Sequence, residues 1–341
     1  MIEIDGSMGE GGGQILRTSL ALSLLTKQPF RIQNIRANRK KPGLMPQHIK
    51  CIEAAAAISG TEMPDVSIGS SELAFSPNDV IPGEYRFDMN TAGSTSLVLQ
   101  TIYLPLAIQQ EKSRIVIMGG THVSWSPTHH YLAVQWLPYV RKFGIKIRLT
   151  LVRAGFYPKG NGKIIAELHP YTGPVESIYL VERGAVDKIY GISAVANLPQ
   201  ELAKRQKTHT ERRLRPLGHR YHIRMETLRS RWKNTMMLVN ALFENGSACF
   251  WALGEIGKKS ETIADEAVNQ LMEFFETRGC IDPYLADQLI LPAAYFRVPA
   301  VYTTSLITPH IMTCIDVVKM FIDTRITVEG SIGEEGTIHI N

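Results

Sequence analysis

No glycine run in this chain is followed by Gly-Lys-Ser/Thr, so a nucleotide, if bound, is not held by a Walker-type phosphate loop. The four cysteines, Cys51, Cys249, Cys280 and Cys314, are scattered singly with no Cys-x-x-Cys pair. That argues against structural zinc and a disulfide framework, and it points to a reducing, cytoplasmic setting. No apolar run reaches the roughly 18 residues of a membrane span; Gln100 and Pro105 interrupt the best candidate. The first residues include Glu3 and Asp5 and no basic cluster, unlike a secretory signal. A net charge of +5 over 341 residues tolerates an anionic partner without demanding one. With 44% hydrophobic and 20% charged residues, the composition is that of a soluble globular protein with room for two or three domain-sized units.

The stretch Gly9-Glu10-Gly11-Gly12-Gly13-Gln14-Ile15-Leu16-Arg17 joins a short alternating segment, Met1 to Asp5, to Leu20, Ala21, Leu24 and Leu25 at helical spacing. It reads as strand, glycine turn, helix. Glycines allow backbone N–H groups to approach a phosphate, and the helix dipole adds to the attraction. Arg17 supplies a permanent cation with two-pronged geometry. Glu10 is out of place in an anion site unless a divalent metal lies between carboxylate and phosphate. The alternative is a glycine run that only makes a tight turn.

The element order repeats. The first unit runs through a strand at Phe30 to Ile35, a polar loop with Arg36, Arg39, Lys40, Lys41 and Pro42-Gly43, a helix from Pro46 to Ile58 closed by Gly60, and short strands at Val66 to Ile68 and Leu73 to Phe75. The second has strands at Tyr85 to Met89 and Arg114 to Met118, helices at Leu97 to Ile108 and Thr128 to Phe143, and closing strands at Lys146 to Arg153 and Lys163 to Leu168. A third follows near the C-terminus, with helices at Leu285 to Phe296 and His310 to Ile322, a strand at Ala300 to Thr304, and a hairpin from Ile326 to Ile340. Units of about 70 to 90 residues in one order predict an α+β fold with a repeated body.

Residues 184–279 break the pattern and read as an inserted small α/β domain, leaving 1–183 and 280–341 as the body; one long elaborated repeat is the alternative. The insert is basic from Pro199 to Lys233, with Tyr221 and Trp232 nearby, which suits either a nucleic-acid track or a solvated helix face.

At the third unit the residues carry a resemblance. Tyr284-Leu285-Ala286-Asp287-Gln288-Leu289, His310 at a helix start, and the Gly9 to Arg17 turn together resemble RNA 3'-terminal phosphate cyclase over essentially the whole chain. Arg36, Arg39, Lys41-Pro42-Gly43, Gln47, Gln100 and Gly155-Phe156-Tyr157-Pro158 fall in that family's order. The resemblance implies three βαβαββ repeats like those of the enolpyruvate transferases, with an inserted small domain. It also implies that a histidine takes AMP from ATP, passes it to a 3'-terminal RNA phosphate, and that the neighbouring 2'-OH closes a 2',3'-cyclic phosphate. On that reading His310 is the nucleophile. Gln100, Pro127, Tyr284, Leu285, Ala286, Asp287 and Gln288 hold the adenosine. Arg17, Arg36, Arg39 and Gln47 face the phosphates and the RNA end, and Glu10 binds Mg2+ or Mn2+. The partner is RNA with a 3'-terminal phosphate, with no membrane and no subunit count specified.

Other readings compete. His310 after Pro309 suits a capping or surface residue, and Asp287 and Glu10 suit structural caps. His122, His129 and His130 have metal-like spacing but no acidic or Cys ligand close in sequence. A cyclase-like RNA-binding or ribosome-assembly factor without adenylation should lack the histidine, and an enolpyruvate transferase should lack the Ala-Asp-Gln run and the insert. Three positions depart from the family pattern: Ala154, Asn161 within Gly160-Asn161-Gly162, and Cys314. Asn is the substitute that a left-handed turn tolerates best.

Overall fold

Helix α1 (Gly13–Thr26) is enclosed on nearly every side, and the molecule is built around it. Its sequence alternates Leu, Ile and Ala with Ser and Thr instead of segregating a polar face, which is the composition of a buried helix. Ser23 and Thr26 satisfy their hydroxyls on the backbone of Gln28 and Leu22. The computed structural model describes residues 1–341.

The first unit comprises β1 (Ile2–Asp5), α1, β2 (Phe30–Gln33), α2 (Pro46–Ser59) and β3 (Leu73–Phe75). The second comprises β4 (Glu84–Asp88), α3 (Thr95–Ala107), β5 (Ser113–Gly119), α4 (His129–Tyr131) running through a π-helical turn at Leu132–Trp136 into α5 (Leu137–Lys142), then β6 (Ile147–Arg153) and β7 (Gly162–Leu168). Strand β8 (Ile178–Leu180) precedes the inserted elements β9 (Val186–Ala196), α6 (Gln200–Leu214), β10 (Tyr221–Thr227), β11 (Asn234–Phe243), β12 (Ser247–Leu253) and α7 (Ser260–Phe275). The third unit resumes with α8 (Pro283–Phe296), β13 (Ala300–Thr304), α9 (Pro309–Phe321), β14 (Ile326–Glu329) and β15 (Gly336–Ile340). The fold is α+β, and no helix is long and apolar enough to cross a membrane.

Two sheets share one order, β4-β5-β7-β6 and β8-β13-β15-β14, with the first two strands parallel and the rest antiparallel. Strand β8 therefore completes the third unit from the far side of the insert. Its three residues carry too short a pattern to be read from sequence. The first sheet is β1-β2-β3, with β3 antiparallel to β2 in the place that β7 and β15 hold in the other two. The strand expected at Val66 to Ile68 does not form. Pro64 removes a donor there, and the segment is instead held to the loop before α2 by Gly69 N–H to Leu44 O at 2.8 Å and Leu44 N–H to Ser70 O at 2.9 Å. The missing strand would lie at the sheet edge, where pairing has the least support.

The inserted strands form a sheet of order β10-β9-β11-β12. One face carries Ile189, Met237, Val239, Ala241 and Phe250 under α6 and α7, a core of its own. The other carries Ile192, Ala194, Met236, Leu238 and Cys249 and joins the main core, so alternate residues of these strands belong to different cores. Two polar clusters tie this sheet to the body. Asp282, buried, accepts from Tyr131 OH at 2.8 Å, Gln135 Nε2 at 2.8 Å, Leu285 N–H at 3.0 Å and Cys249 N–H at 3.2 Å. Burial pushes its carboxyl up to about 6 despite these donors.

The second cluster is His122, His129 and His130, all buried. His122 Nε2 lies 2.6 Å from His130 Nδ1, and His130 Nε2 lies 3.4 Å from Glu226 on β10. The acidic neighbour that the local sequence lacks thus arrives from the insert, yet no group of His, Cys, Asp or Glu side chains has metal-holding geometry. Burial, then the neighbouring His130, holds His129 down to about 3, and neither of its ring nitrogens has a partner.

Two consequences are measurable. Asp282→Ala strands several buried donors and is expected to destabilise the protein by about 3 kcal/mol or more in urea unfolding; a loss below about 1 kcal/mol contradicts this role. For His129 the folded pKa lies below the unfolded 6.5, so the unfolded chain binds the extra proton. The contribution of this histidine is fully present above pH 6.5 and falls by about 1.4 kcal/mol per pH unit from there toward about 3. His129→Leu should remove that slope while leaving stability at pH 7 equal or higher, and an unchanged slope refutes the assignment.

Candidate active site

The glycine turn ahead of α1 is pressed against the first turn of α9. Gly9 and Gly11 have φ of +55° and +57°, a region closed to most side chains. A Cβ on Gly9 would overlap Thr313 Oγ1, one on Gly12 the Glu10 carboxylate, and one on Gly13 the His48 ring. The turn is therefore glycine-rich because two helix starts and three side chains meet there. No side chain caps α1, so its first N–H groups face the site.

His310 stands at the second position of α9, which begins at Pro309 after the Thr308 cap. Its side chain is 49% exposed. Nδ1–H donates to Gln14 Oε1, and this contact leaves Nε2 as the nitrogen with a free lone pair. Nε2 lies 3.3 Å from Glu10 Oε2, which also receives Arg39 Nη2 at 2.7 Å. Burial, reinforced by Arg17 and Arg39, lowers the His310 pKa against the opposing pull of Glu10. The imidazole is therefore neutral at neutral pH, the state a nucleophile requires.

Gln14 reaches the other way as well, its Nε2 lying 3.4 Å from Asp287 Oδ2, while Gln288 Nε2 donates to Asp287 Oδ1 at 2.6 Å. Burial raises the Asp287 carboxyl to about 7, with Gln288 and Arg17 favouring the ionised form. Arg17 is largely buried beside Gly13 and His48, and no protein group accepts a hydrogen bond from it or pairs with it as an ion. Burial lowers its pKa, with Glu10 and Asp287 opposing. His48 next to it is held neutral, at about 3, by burial and by Arg17 and Arg36, and its Nδ1 accepts from Met45 N–H at 3.0 Å.

Of the residues expected from sequence, Glu10, Arg39, Asp287, Gln288 and His310 form one network with Gln14, and Arg17 lies beside it without a bonded partner. Arg36, at φ +56°, spends Nη1 on the carbonyls of Lys41 and Gly43 and shapes the loop. Gln47 accepts from Ser94 N–H at 3.0 Å, linking α2 to the cap of α3. Pro127 receives the Ser96 hydroxyl on its carbonyl. Gln100 has a buried Nε2 with no partner, an amide donor still to be satisfied. Tyr284 is 41% exposed, set against Trp251 at 5.0 Å, with its hydroxyl 3.3 Å from Gln270 Oε1. Leu285 and Ala286 are a correction: both side chains are wholly buried, seating α8 in the core and offering a ligand no surface. Their place in the motif reflects α8 packing, with Tyr302 OH bound to the Ala286 carbonyl at 2.8 Å.

Gln14, His48 and Thr313 act here without having been singled out from sequence. The first stands in the glycine motif itself, which was its only signal. Of the departures, Asn161 sits at φ +61° with its carbonyl accepting from Arg153 Nε at 2.6 Å, so the turn keeps its shape. Ala154 is buried where β6 ends, and its backbone pairs with Arg229 and Ser230. Cys314 is buried under Asp287, with Sγ 3.7 Å from the Asp287 carbonyl oxygen.

A neutral imidazole, an unpaired arginine, the uncapped start of α1 and the Glu10 carboxylate make a site for a phosphate ester. Comparison with known proteins agrees. The sequence profile of the family described as RNA 3'-terminal phosphate cyclase matches residues 8–328. The RNA 3'-terminal phosphate cyclase of Sulfolobus acidocaldarius is 40% identical over 333 residues, 97% of this chain and 98% of its own length. Its counterpart in Archaeoglobus fulgidus is 39% identical over 97% of this chain and 98% of its own, and that of Ralstonia nicotianae 38% over 96% and 93%. Among solved structures, the enolpyruvyl transferase NikO from Streptomyces tendae aligns with 99% of this chain and 48% of its own at 9% identity and a TM-score of 0.33, too low to bear on the fold. With a match across nearly its full length, this chain belongs to the RNA 3'-terminal phosphate cyclase family.

Proposed function

We propose that this protein uses ATP to convert the 3'-terminal phosphate of RNA into a 2',3'-cyclic phosphodiester. The observation that carries this reading is a neutral His310, with Nδ1 fixed by Gln14, beside a largely buried Arg17 that lacks any anionic partner. His310 Nε2 attacks the α-phosphorus of ATP; the bond to the pyrophosphate oxygen breaks, and an AMP-histidine adduct remains. An oxygen of the RNA 3'-phosphate then attacks the AMP phosphorus and displaces the imidazole. The 2'-OH finally attacks the terminal RNA phosphorus, loses its proton, and expels AMP. Arg17, Arg36, Arg39 and Gln47 are assigned to the phosphates, and Gln100, Pro127, Tyr284, Asp287 and Gln288 to the adenosine.

A divalent cation fits Glu10 only together with substrate. The carboxylate is single, and one carboxylate plus phosphate oxygens and water is the donor set of Mg2+ or Mn2+. When bound it would supply positive charge to the phosphates, and Arg39 would have to share Glu10 with it. Residues 184–279 are assigned as the inserted small domain, and the four unpaired thiols suit a reducing, cytoplasmic setting.

Incubation with ATP labelled at the α-phosphate is expected to give an acid-labile protein adduct that His310→Asn abolishes; an adduct surviving that substitution removes His310 from the reaction. Gln14→Leu frees the ring and its tautomer and should slow adduct formation on the order of 10²-fold. Because the folded-state pKa of His310 is lowered, the reactive neutral form persists as pH falls below 6.5, and the half-maximal rate should lie under that value. A rate that halves above pH 6.5 contradicts the assignment.

A further inference from the structure

We propose that the single strand leading to the reacting 3' end lies across a strip of exposed aromatic rings and unpaired arginines carried by three adjoining loops: Trp125; Arg153 and Tyr157; and Arg229, Arg231 and Trp232. The inference rests on the cyclase reading of the His310 site and adds to it where the body of the RNA is gripped.

Trp125 is 99% exposed and lies at φ +63°, a conformation that bulky residues rarely adopt. The chain accepts this strain and an entirely solvated indole together, and the ring contributes no packing in return, a combination characteristic of functional loops. Tyr157 is 78% exposed and Trp232 39%. Their loops are firmly built: Ala154 N–H bonds Arg229 O at 2.8 Å, Ser230 Oγ bonds Ala154 O at 3.0 Å, and Trp232 N–H bonds Ser230 Oγ at 3.1 Å. The aromatic side chains are therefore displayed from a fixed base.

Ion pairing separates these arginines from several others of the basic insert. On and beside α6 and β10, Arg205 pairs with Glu261, Arg213 with Asp265, Arg220 with Asp187 and Arg224 with Glu226, so part of the charge run from Pro199 is neutralised within the protein. Arg153, Arg229 and Arg231 have no carboxylate within ion-pair distance. They also repel one another: after burial, Arg231 and Arg229 are what lower the Arg153 pKa. Three clustered cations with no acid call for an anion from outside, and rings interleaved with them match unstacked bases on a phosphate chain better than they match a protein face.

The strip adjoins residues assigned to the substrates. The Trp125 loop ends at Pro127, whose carbonyl receives Ser96; the neighbouring Ser94 N–H is held by Gln47. The Tyr157 loop closes over Thr91 and Ala92, where a Cβ on Gly160 would collide with the backbone. The path assigned to the strand runs from the phosphate-binding residues past Gln47 to these loops.

The test compares 3'-phosphorylated oligonucleotides of two and about 12 nucleotides on the full-length protein. Wild type should show a lower KM for the longer substrate. Trp125→Ala with Trp232→Ala, and separately Arg229→Ala with Arg231→Ala, should raise the longer substrate's KM about 10-fold. The arginine pair should also flatten its salt dependence by a slope of about 1. Dinucleotide cyclisation and AMP-adduct formation should be unchanged, which also verifies folding. Unaltered KM and salt dependence for the long substrate, with the adduct intact, overturn the RNA strip and leave these loops to a protein partner. Failure of wild type to form the adduct overturns the cyclase reading as well, so the two failures are distinct.

Discussion

The start of α1 and the start of α9 touch, and the rest of the site depends on that contact. Backbone rather than side chains must fill the space between them, because Thr313, Glu10 and His48 occupy the volume that Cβ atoms at Gly9, Gly12 and Gly13 would need. The approach brings Gln14 within reach of both His310 and Asp287, so one amide holds residues far apart in the chain in a single arrangement. Around Arg17, Glu10 and Asp287 oppose the effect of burial on the guanidinium, and the latter is only weakly acidic.

That geometry is maintained from behind. The inserted sheet is apolar on both faces, and its second face merges with the core under α8 and the π-helical turn. Asp282 caps α8 while binding Tyr131, Gln135 and the backbone of β12, so the helix carrying Asp287 and Gln288 is anchored to the insert and to the second unit at once. Tyr284 is held between Trp251 and its hydroxyl partner Gln270 by the same junction. The insert is thus a support for the site as well as a carrier of basic surface.

The long periodic elements were legible: α2 ends at Gly60 in a left-handed cap, and α9 opens at Pro309. Short elements were less so. Strand β8 has three residues, and the apolar Val66 to Ile68 did not become a strand because loop carbonyls outcompeted an edge position. Charge was the most misleading signal, since the basic run from Pro199 looks uniform along the chain while acids on α7 and β9 neutralise Arg205, Arg213 and Arg220 in space.

By itself the sequence determined the α+β class, the repeating order, the glycine turn and the histidine with its motif, because each depends on spacing within a short stretch of chain. Only the tertiary structure decided that Gln14 engages Nδ1 of His310 and leaves Nε2 free, that Arg17 has no partner, that Leu285 and Ala286 belong to the core, and that Glu226 joins the buried histidines. Those are distances between residues remote in sequence, and burial and electrostatics depend on such distances rather than on order along the chain.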